Sequence, residues 1–177
     1  MTPFITLPGI YGSGAAHWQT IWERREPTRF TRFEPTDWDH PDLTDWIDAL
    51  SRAVAAAAVP PVLVAHSLSC LLVPWWAERG TGSAAAALLV APVDPAAAAF
   101  PAAATGFAEW PSAPLPFPAL VVGSDTDPYA TAAWSRGFAA TLGAEYRNLG
   151  PLGHINADSG LADWPVGYAL IEELTGR

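Results

Sequence analysis

Short unbroken apolar runs alternate along the chain with longer segments whose apolar positions recur every three or four residues. Residues 4–7, 62–65, 86–90 and 119–122 are runs of the first kind. Such runs read as strands buried on both faces, the signature of a parallel sheet covered by helices. Residues 28–33 and 145–149 carry the same signal diluted by polar side chains, which predicts strands nearer the sheet edges. The helical period covers residues 17–24, 43–58, 68–79, 129–142 and 163–174. The alternation implies right-handed crossovers and an α/β architecture, a mostly parallel six-stranded sheet with helices on both faces. Sites in such sheets lie at the carboxyl ends of the strands.

Two stretches depart from this rhythm. Residues 94–118 hold Pro95, Pro101, Pro111, Pro114, Pro116 and Pro118. Proline removes a backbone donor and stops helices, so this stretch predicts a long loop with at most one short helix. Loops of that length in a compact domain usually serve function, and this one should cross the active edge of the sheet. Pro74 falls inside the helix expected after residue 67 and should kink or truncate it.

Composition narrows the class. The 177 residues fit one domain, 1–177, with no separate lid domain. Half of them are hydrophobic and 15% are charged, a globular balance. A net charge of −9 argues against nucleic acid or an anionic membrane surface as a partner. It leaves any protein partner unspecified. The single cysteine, Cys70, excludes an internal disulfide and a cysteine-based metal cluster. Its apolar setting reads as a buried structural thiol. No ligand cluster with metal spacing is visible, so no metal is expected. The N-terminus lacks a basic region followed by an apolar stretch, and no apolar run nears membrane-spanning length, so the cytoplasm is the expected compartment.

Candidate chemistry starts at Ser67, in Val64-Ala65-His66-Ser67-Leu68-Ser69-Cys70. An apolar strand enters, an apolar helix leaves, and small residues stand two before and two after the serine. A sharp strand-to-helix turn presents a hydroxyl in this way. A serine hydroxyl needs a base, and the base needs an acid to fix its tautomer. His154, in Gly153-His154-Ile155-Asn156, follows the last strand. Asp127, in Ser124-Asp125-Thr126-Asp127-Pro128, follows the strand before it. The order Ser67, Asp127, His154 is that of the α/β-hydrolase scaffold, and all three fall at carboxyl ends of strands. Asp125 and Asp94 compete with Asp127 for the acid. His66 should point away from Ser67 and serve packing or the oxyanion side. His17 and His40 read as helix-start or surface hydrogen-bonding residues. The N–H groups of Leu68 and Ile10 are the candidate oxyanion donors, Ile10 from the loop after the first strand. The glycines of that loop, Gly9, Gly12 and Gly14, do not have the spacing of a dinucleotide-binding turn, and no cofactor is expected. Most of the nine tryptophans read as core. Tyr11, Phe107 and Trp110 are the possible lining of a substrate pocket.

The stretches Pro8-Gly9 to Gly14, His17-Trp18-Gln19, Ala65-His66-Ser67-Leu68, Asp127-Pro128-Tyr129 and Gly153-His154-Ile155-Asn156-Ala157 resemble a small family of bacterial serine hydrolases. That family is related to the human retinoblastoma-binding serine hydrolase. The resemblance runs from Leu7 to Trp164. It implies a reduced α/β-hydrolase fold and a triad of Ser67, Asp127 and His154. It also implies esterase-like chemistry on a small-molecule ester, thioester or amide through an acyl-enzyme. The alternative is a protein- or ligand-binding domain with a vestigial triad. One departure is Ser69, where the family pattern has glycine, and a slightly strained or shifted turn is expected there.

Overall fold

The computed structural model describes residues 2–176. Six strands form one sheet: β1 (Phe4–Leu7), β2 (Phe30–Arg32), β3 (Val62–His66), β4 (Ala86–Val90), β5 (Ala119–Gly123) and β6 (Glu145–Asn148). Their spatial order is β2-β1-β3-β4-β5-β6, and every pairing is parallel. The two strands with diluted apolar patterns, β2 and β6, stand at the edges. β1, β3, β4 and β5 are buried along their whole length, as continuous apolar runs require.

Five helices cover the sheet: α1 (Trp18–Arg25), α2 (Leu43–Ala56), α3 (Ser69–Arg79), α4 (Ala132–Thr141) and α5 (Pro165–Leu174). Strand alternation divides the core into two layers. Ile5, Leu7, Leu63, Ala65, Leu89 and Val121 face one way and pack with α2, α3 and α4. Phe4, Val62, Val64, Leu88, Val90 and Val122 face the other way and pack with α1 and α5. The tryptophans follow the same division. Trp18, Trp22 and Trp164 pack together on the second face, while Trp38 and Trp46 meet Phe33 on the first.

Local chemistry sets the helix ends. Asp42 Oδ1 accepts from Asp45 N–H at 3.0 Å and starts α2. Thr131 Oγ1 accepts from Trp134 N–H at 3.1 Å, so α4 begins at Ala132 rather than at residue 129. Pro165 opens α5, a position where its missing N–H costs nothing. Pro74 does not truncate α3, which runs from Ser69 through to Arg79. Residues 69–74 are all buried, and tertiary packing holds the turn that lacks one bond. Residues 91–118 contain neither helix nor strand beyond an isolated bridge from Thr105 to Asp42, so the one short helix allowed for there does not form.

Trp18 ties this framework to the loop after β6. Its indole N–H donates to Ile155 O at 2.8 Å. Ile155 is fully buried in the left-handed region, at φ 47°. Trp18→Phe keeps an aromatic ring but leaves that carbonyl unpaired, so a loss of about 1–3 kcal/mol in urea unfolding is expected. A wild-type unfolding midpoint would show that the bond does not hold the loop.

Candidate active site

The winding of the sheet reverses at β1 and β3. From β1 the chain leaves toward β2 over one face, and from β3 it leaves toward β4 over the other. The crevice between two such carboxyl ends is where open α/β sheets bind ligands. Here one lip is the loop after β1 and the other is the turn from β3 into α3. A cavity of about 420 Å³ opens between them, lined among others by Ile10, Tyr11, His66, Ser67, Tyr129 and His154.

Ser67 sits at the apex of the turn with φ 59°. This left-handed backbone typically costs a non-glycine residue about 1–3 kcal/mol and persists only where surroundings enforce it. Ser67 N–H donates to Val90 O at 3.0 Å, and Ser67 O accepts from Cys70 N–H at 3.0 Å. Gly9 closes over the turn. A Cβ on Gly9 would stand 2.7 Å from Ser67 Cβ and 3.1 Å from Ser67 Oγ, so only glycine fits.

The other two members of the constellation come to the same point. Ser67 Oγ lies 2.8 Å from His154 Nε2. His154 Nδ1 lies 2.9 Å from each carboxylate oxygen of Asp127. A carboxylate accepts only, so Nδ1 carries the proton and the Nε2 lone pair faces the serine hydroxyl. All three side chains are nearly enclosed, Asp127 at 3% exposure. The competing acids are elsewhere. Asp125 accepts from Asn148 Nδ2, and Asp94 accepts from Ala96 N–H.

Two hydroxyls fasten the loop bearing Asp127 to the loop bearing His154. Ser124 Oγ accepts from Leu152 N–H at 2.9 Å, and Thr126 Oγ1 accepts from Gly153 N–H at 3.0 Å. Asp125 N–H adds a backbone bond to Gly150 O. Tyr129 lies beside His154 with ring centroids 4.4 Å apart. Sequence reasoning assigned Ser124 and Thr126 no role of their own, and Tyr129 entered only within the family motif. The available signal was polar side chains packed directly after a strand end.

Ile10 and Leu68 both line the cavity beside Ser67. Among the described residues, neither N–H donates to a backbone carbonyl outside the helices and strands. Two such donors at one serine can hold a negatively charged oxygen. Tyr11 stands at the rim, 71% exposed. Phe107 and Trp110 are not in the cavity. Phe107 is fully buried against Trp46, and Trp110 packs on Trp134 and Phe138. The loop lacks a helix of its own, so its aromatics anchor it to α2 and α4. Its contribution to the cavity comes instead from Val93, Ala99 and Pro101.

Three imidazoles form a row. The His66 ring is 4.7 Å from His17 and 4.9 Å from His154. His66 Nε2–H donates to His154 O at 2.9 Å, so it supports the backbone of its neighbour as well as lining the cavity. His17 caps α1 through Nδ1, which accepts from Gln19 N–H. It is buried, not a surface residue. Burial first, then the Arg32 guanidinium and His154, lowers its pKa to about 3. His66 is pushed well below the ordinary histidine range by burial, then by His17 and His154. His40 is the surface histidine, paired with Asp37. Cys70 is buried, its thiol pKa raised by desolvation, consistent with an inert packing role.

A parallel α/β sheet with a serine, histidine and aspartate joined at its carboxyl edge defines the α/β-hydrolase class. The model of a family described as serine hydrolase matches residues 4–173, and the chain belongs to that family. Among solved structures, a YdeN-like hydrolase of Pectobacterium atrosepticum is 28% identical, with a TM-score of 0.88, over 99% of this chain and 91% of that one. The ydeN gene product of B. subtilis is 19% identical with a TM-score of 0.83, each chain covered in full. Est816, an N-acyl homoserine lactone degrading enzyme, shares the fold at 13% identity and a TM-score of 0.75, over 98% of this chain and 92% of that one. No curated protein matches the sequence. Among the described residues no helix is long and apolar enough to cross a membrane.

The two depressed histidines have a consequence for stability. An unfolded histidine takes a proton near pH 6.5, whereas folded His17 resists it down to about 3. Between those values the unfolded state binds more protons, so stability is full above pH 6.5 and falls as pH drops through the window. His66, pushed below the ordinary histidine range by burial, adds to the loss in the same direction. Urea midpoints measured from pH 7 to pH 4 should fall. His17→Asn keeps a capping side chain and should flatten the slope; an unchanged slope would place the acid sensitivity elsewhere.

Proposed function

We propose that this hydrolase cleaves a small carboxylic ester, with thioesters and amides as chemical variants, through an acyl-enzyme on Ser67. The observation that carries the reading is the continuous contact from Asp127 through His154 to Ser67 at the floor of the cavity. In the first step Ser67 Oγ–H passes its proton to His154 Nε2 while Oγ bonds to the substrate carbonyl carbon. The carbonyl π electrons move onto oxygen, where the Ile10 and Leu68 N–H groups receive the charge. Collapse of that intermediate expels the alcohol, which takes its proton from His154. Water then repeats the sequence on the acyl-enzyme and releases the acid. Asp127 keeps the proton on Nδ1 and balances the imidazolium.

Tyr11, Val93, Ala99 and Pro101 give the substrate side of the cavity an apolar wall, and His17 is held neutral. This supports an uncharged acyl group of modest size. The reading takes the chain as one domain without a separate lid domain. The motif resemblance adds kinship with the human retinoblastoma-binding serine hydrolase.

Ser67→Ala should abolish hydrolysis of p-nitrophenyl esters and covalent labelling by a fluorophosphonate probe, with the unfolding transition retained. His154→Gln should remove nearly all activity. Asp127→Asn should lower kcat by about 10,000-fold, since the wrong tautomer is then held. Asp94→Asn should change kcat little. A wild-type protein that is folded yet neither labels nor turns over esters would favour a binding domain with a vestigial triad.

A further inference from the structure

The two proposed oxyanion donors come from different parts of the chain. Ile10 lies in the loop after β1 and Leu68 in the turn before α3. Catalysis by such a pair depends on their separation, because both must reach one oxygen. Something must therefore fix the loop against the helix.

Ser69 bridges them. It is the first residue of α3, directly after Leu68, and its side chain is fully buried. Its Oγ–H donates to Pro8 O at 2.6 Å. Pro8 is buried too, and a single residue, Gly9, separates it from Ile10 along the chain. Among the described residues, no backbone N–H outside the helices and strands donates to Pro8 O, so the hydroxyl supplies the partner this carbonyl needs. Elsewhere the loop is held by Gly12 N–H on Gly9 O, by Tyr11 N–H on Trp38 O, and by Thr20 and Arg32, which both donate to Ser13 O. Those bonds fix the loop's own turn and its outer side. Among the described residues, the Ser69 bond is the hydrogen bond that fastens the loop to the segment bearing Leu68 and Ser67.

The expectation from the family pattern, a strained turn at a position that should be glycine, thus takes a different form. The side chain is turned onto a carbonyl rather than left to crowd the serine. We propose that Ser69 is a positioning residue, whose hydroxyl sets the distance between the Ile10 and Leu68 N–H groups. This rests on the oxyanion reading given above. A hydroxyl in this role stabilises the transition state without touching substrate. Its loss should appear in kcat and in affinity for a tetrahedral mimic, not in ground-state binding.

The test compares wild type, Ser69→Ala, Ser69→Gly and Ser67→Ala. Each would be assayed on p-nitrophenyl butyrate with active sites titrated by a fluorophosphonate, and each would be measured for phenylboronic acid inhibition and for Tm. In Ser69→Ala, kcat per titrated site should fall about 10–100-fold with KM within twofold, and phenylboronate affinity should fall by a similar factor. Ser69→Gly should behave the same way, despite restoring the family's residue. Covalent labelling should persist, because Ser67 and His154 are intact. A lowered Tm with wild-type kcat per site and wild-type boronate affinity would reduce Ser69 to a structural residue and overturn the proposal. So would a higher kcat in Ser69→Gly. Full activity in Ser67→Ala would instead sink the acyl-enzyme reading itself, a result separable from either.

Discussion

The handedness of β-strand crossovers is the constraint on which the site depends. A right-handed connection from β1 to β2 and another from β3 to β4 move in opposite directions along the sheet, so α1 and α3 lie on opposite faces. The chain diverges above the paired carboxyl ends of β1 and β3. Both lips, the loop after β1 and the turn into α3, line the cavity there. Ser67 at the end of β3 looks into this gap. Asp127 and His154 follow β5 and β6, further along the same edge, and reach back through loops that Ser124 and Thr126 hold together. One topological reversal therefore explains why three residues far apart in sequence share one cavity.

Burying this much polarity carries a cost, and the row of imidazoles shows how it is contained. His17, His66 and His154 stand in ring contact, where two positive charges would repel strongly in a poorly solvated setting. His17 and His66 are held neutral by burial and by their neighbours. His154 differs because a carboxylate faces its Nδ1. That carboxylate also fixes the orientation of the one imidazole in the row that touches Ser67. The neutral pair is not idle, since His66 supports His154 O and His17 starts α1. The cluster combines a stability liability at low pH with two structural supports for the site.

Much of this was legible in the sequence, because the signals were local or tied to strand ends. Continuous apolar runs gave the inner strands, and dilution of the same pattern gave β2 and β6 as edges. The candidates Ser67, Asp127 and His154 followed from a rule of the fold, that chemistry gathers at carboxyl ends, and their side chains do meet. Other features depended on contacts that spacing does not encode. Pro74 breaks helices by propensity, but six consecutive buried residues around it outweigh one missing bond. Phe107 and Trp110 sit on the loop that borders the cavity, and only their partners on α2 and α4 reveal that they face the core. His17 does start a helix, one of the two roles its sequence position offered, but its burial comes from His66 and Trp18, which spacing does not encode. For Ser69 the sequence offered only a mismatch with glycine, and its meaning lies in Pro8, a residue distant in the chain.

The connection between β4 and β5 shows how the fold accommodates a crossover without a helix. A helix there would bury an apolar stripe on the first face and satisfy its own backbone. Prolines deny this stretch that solution. The loop instead buries Phe107 against Trp46, packs Trp110 on α4, and lends Glu109 O to the Trp75 indole N–H. Leu115 N–H reaches Leu142 O at the end of α4. These anchors are spread over α2, α3 and α4, so the far part of the loop is fixed. Its near part, from Val93 to Pro101, is left to border the cavity with small and apolar side chains. Backbone that does not fold onto itself can follow the contour of the site more closely than a helix could. Substitutions within residues 93–101 should therefore reshape the cavity wall more readily than changes in the buried strands beneath it, where each side chain also supports the sheet.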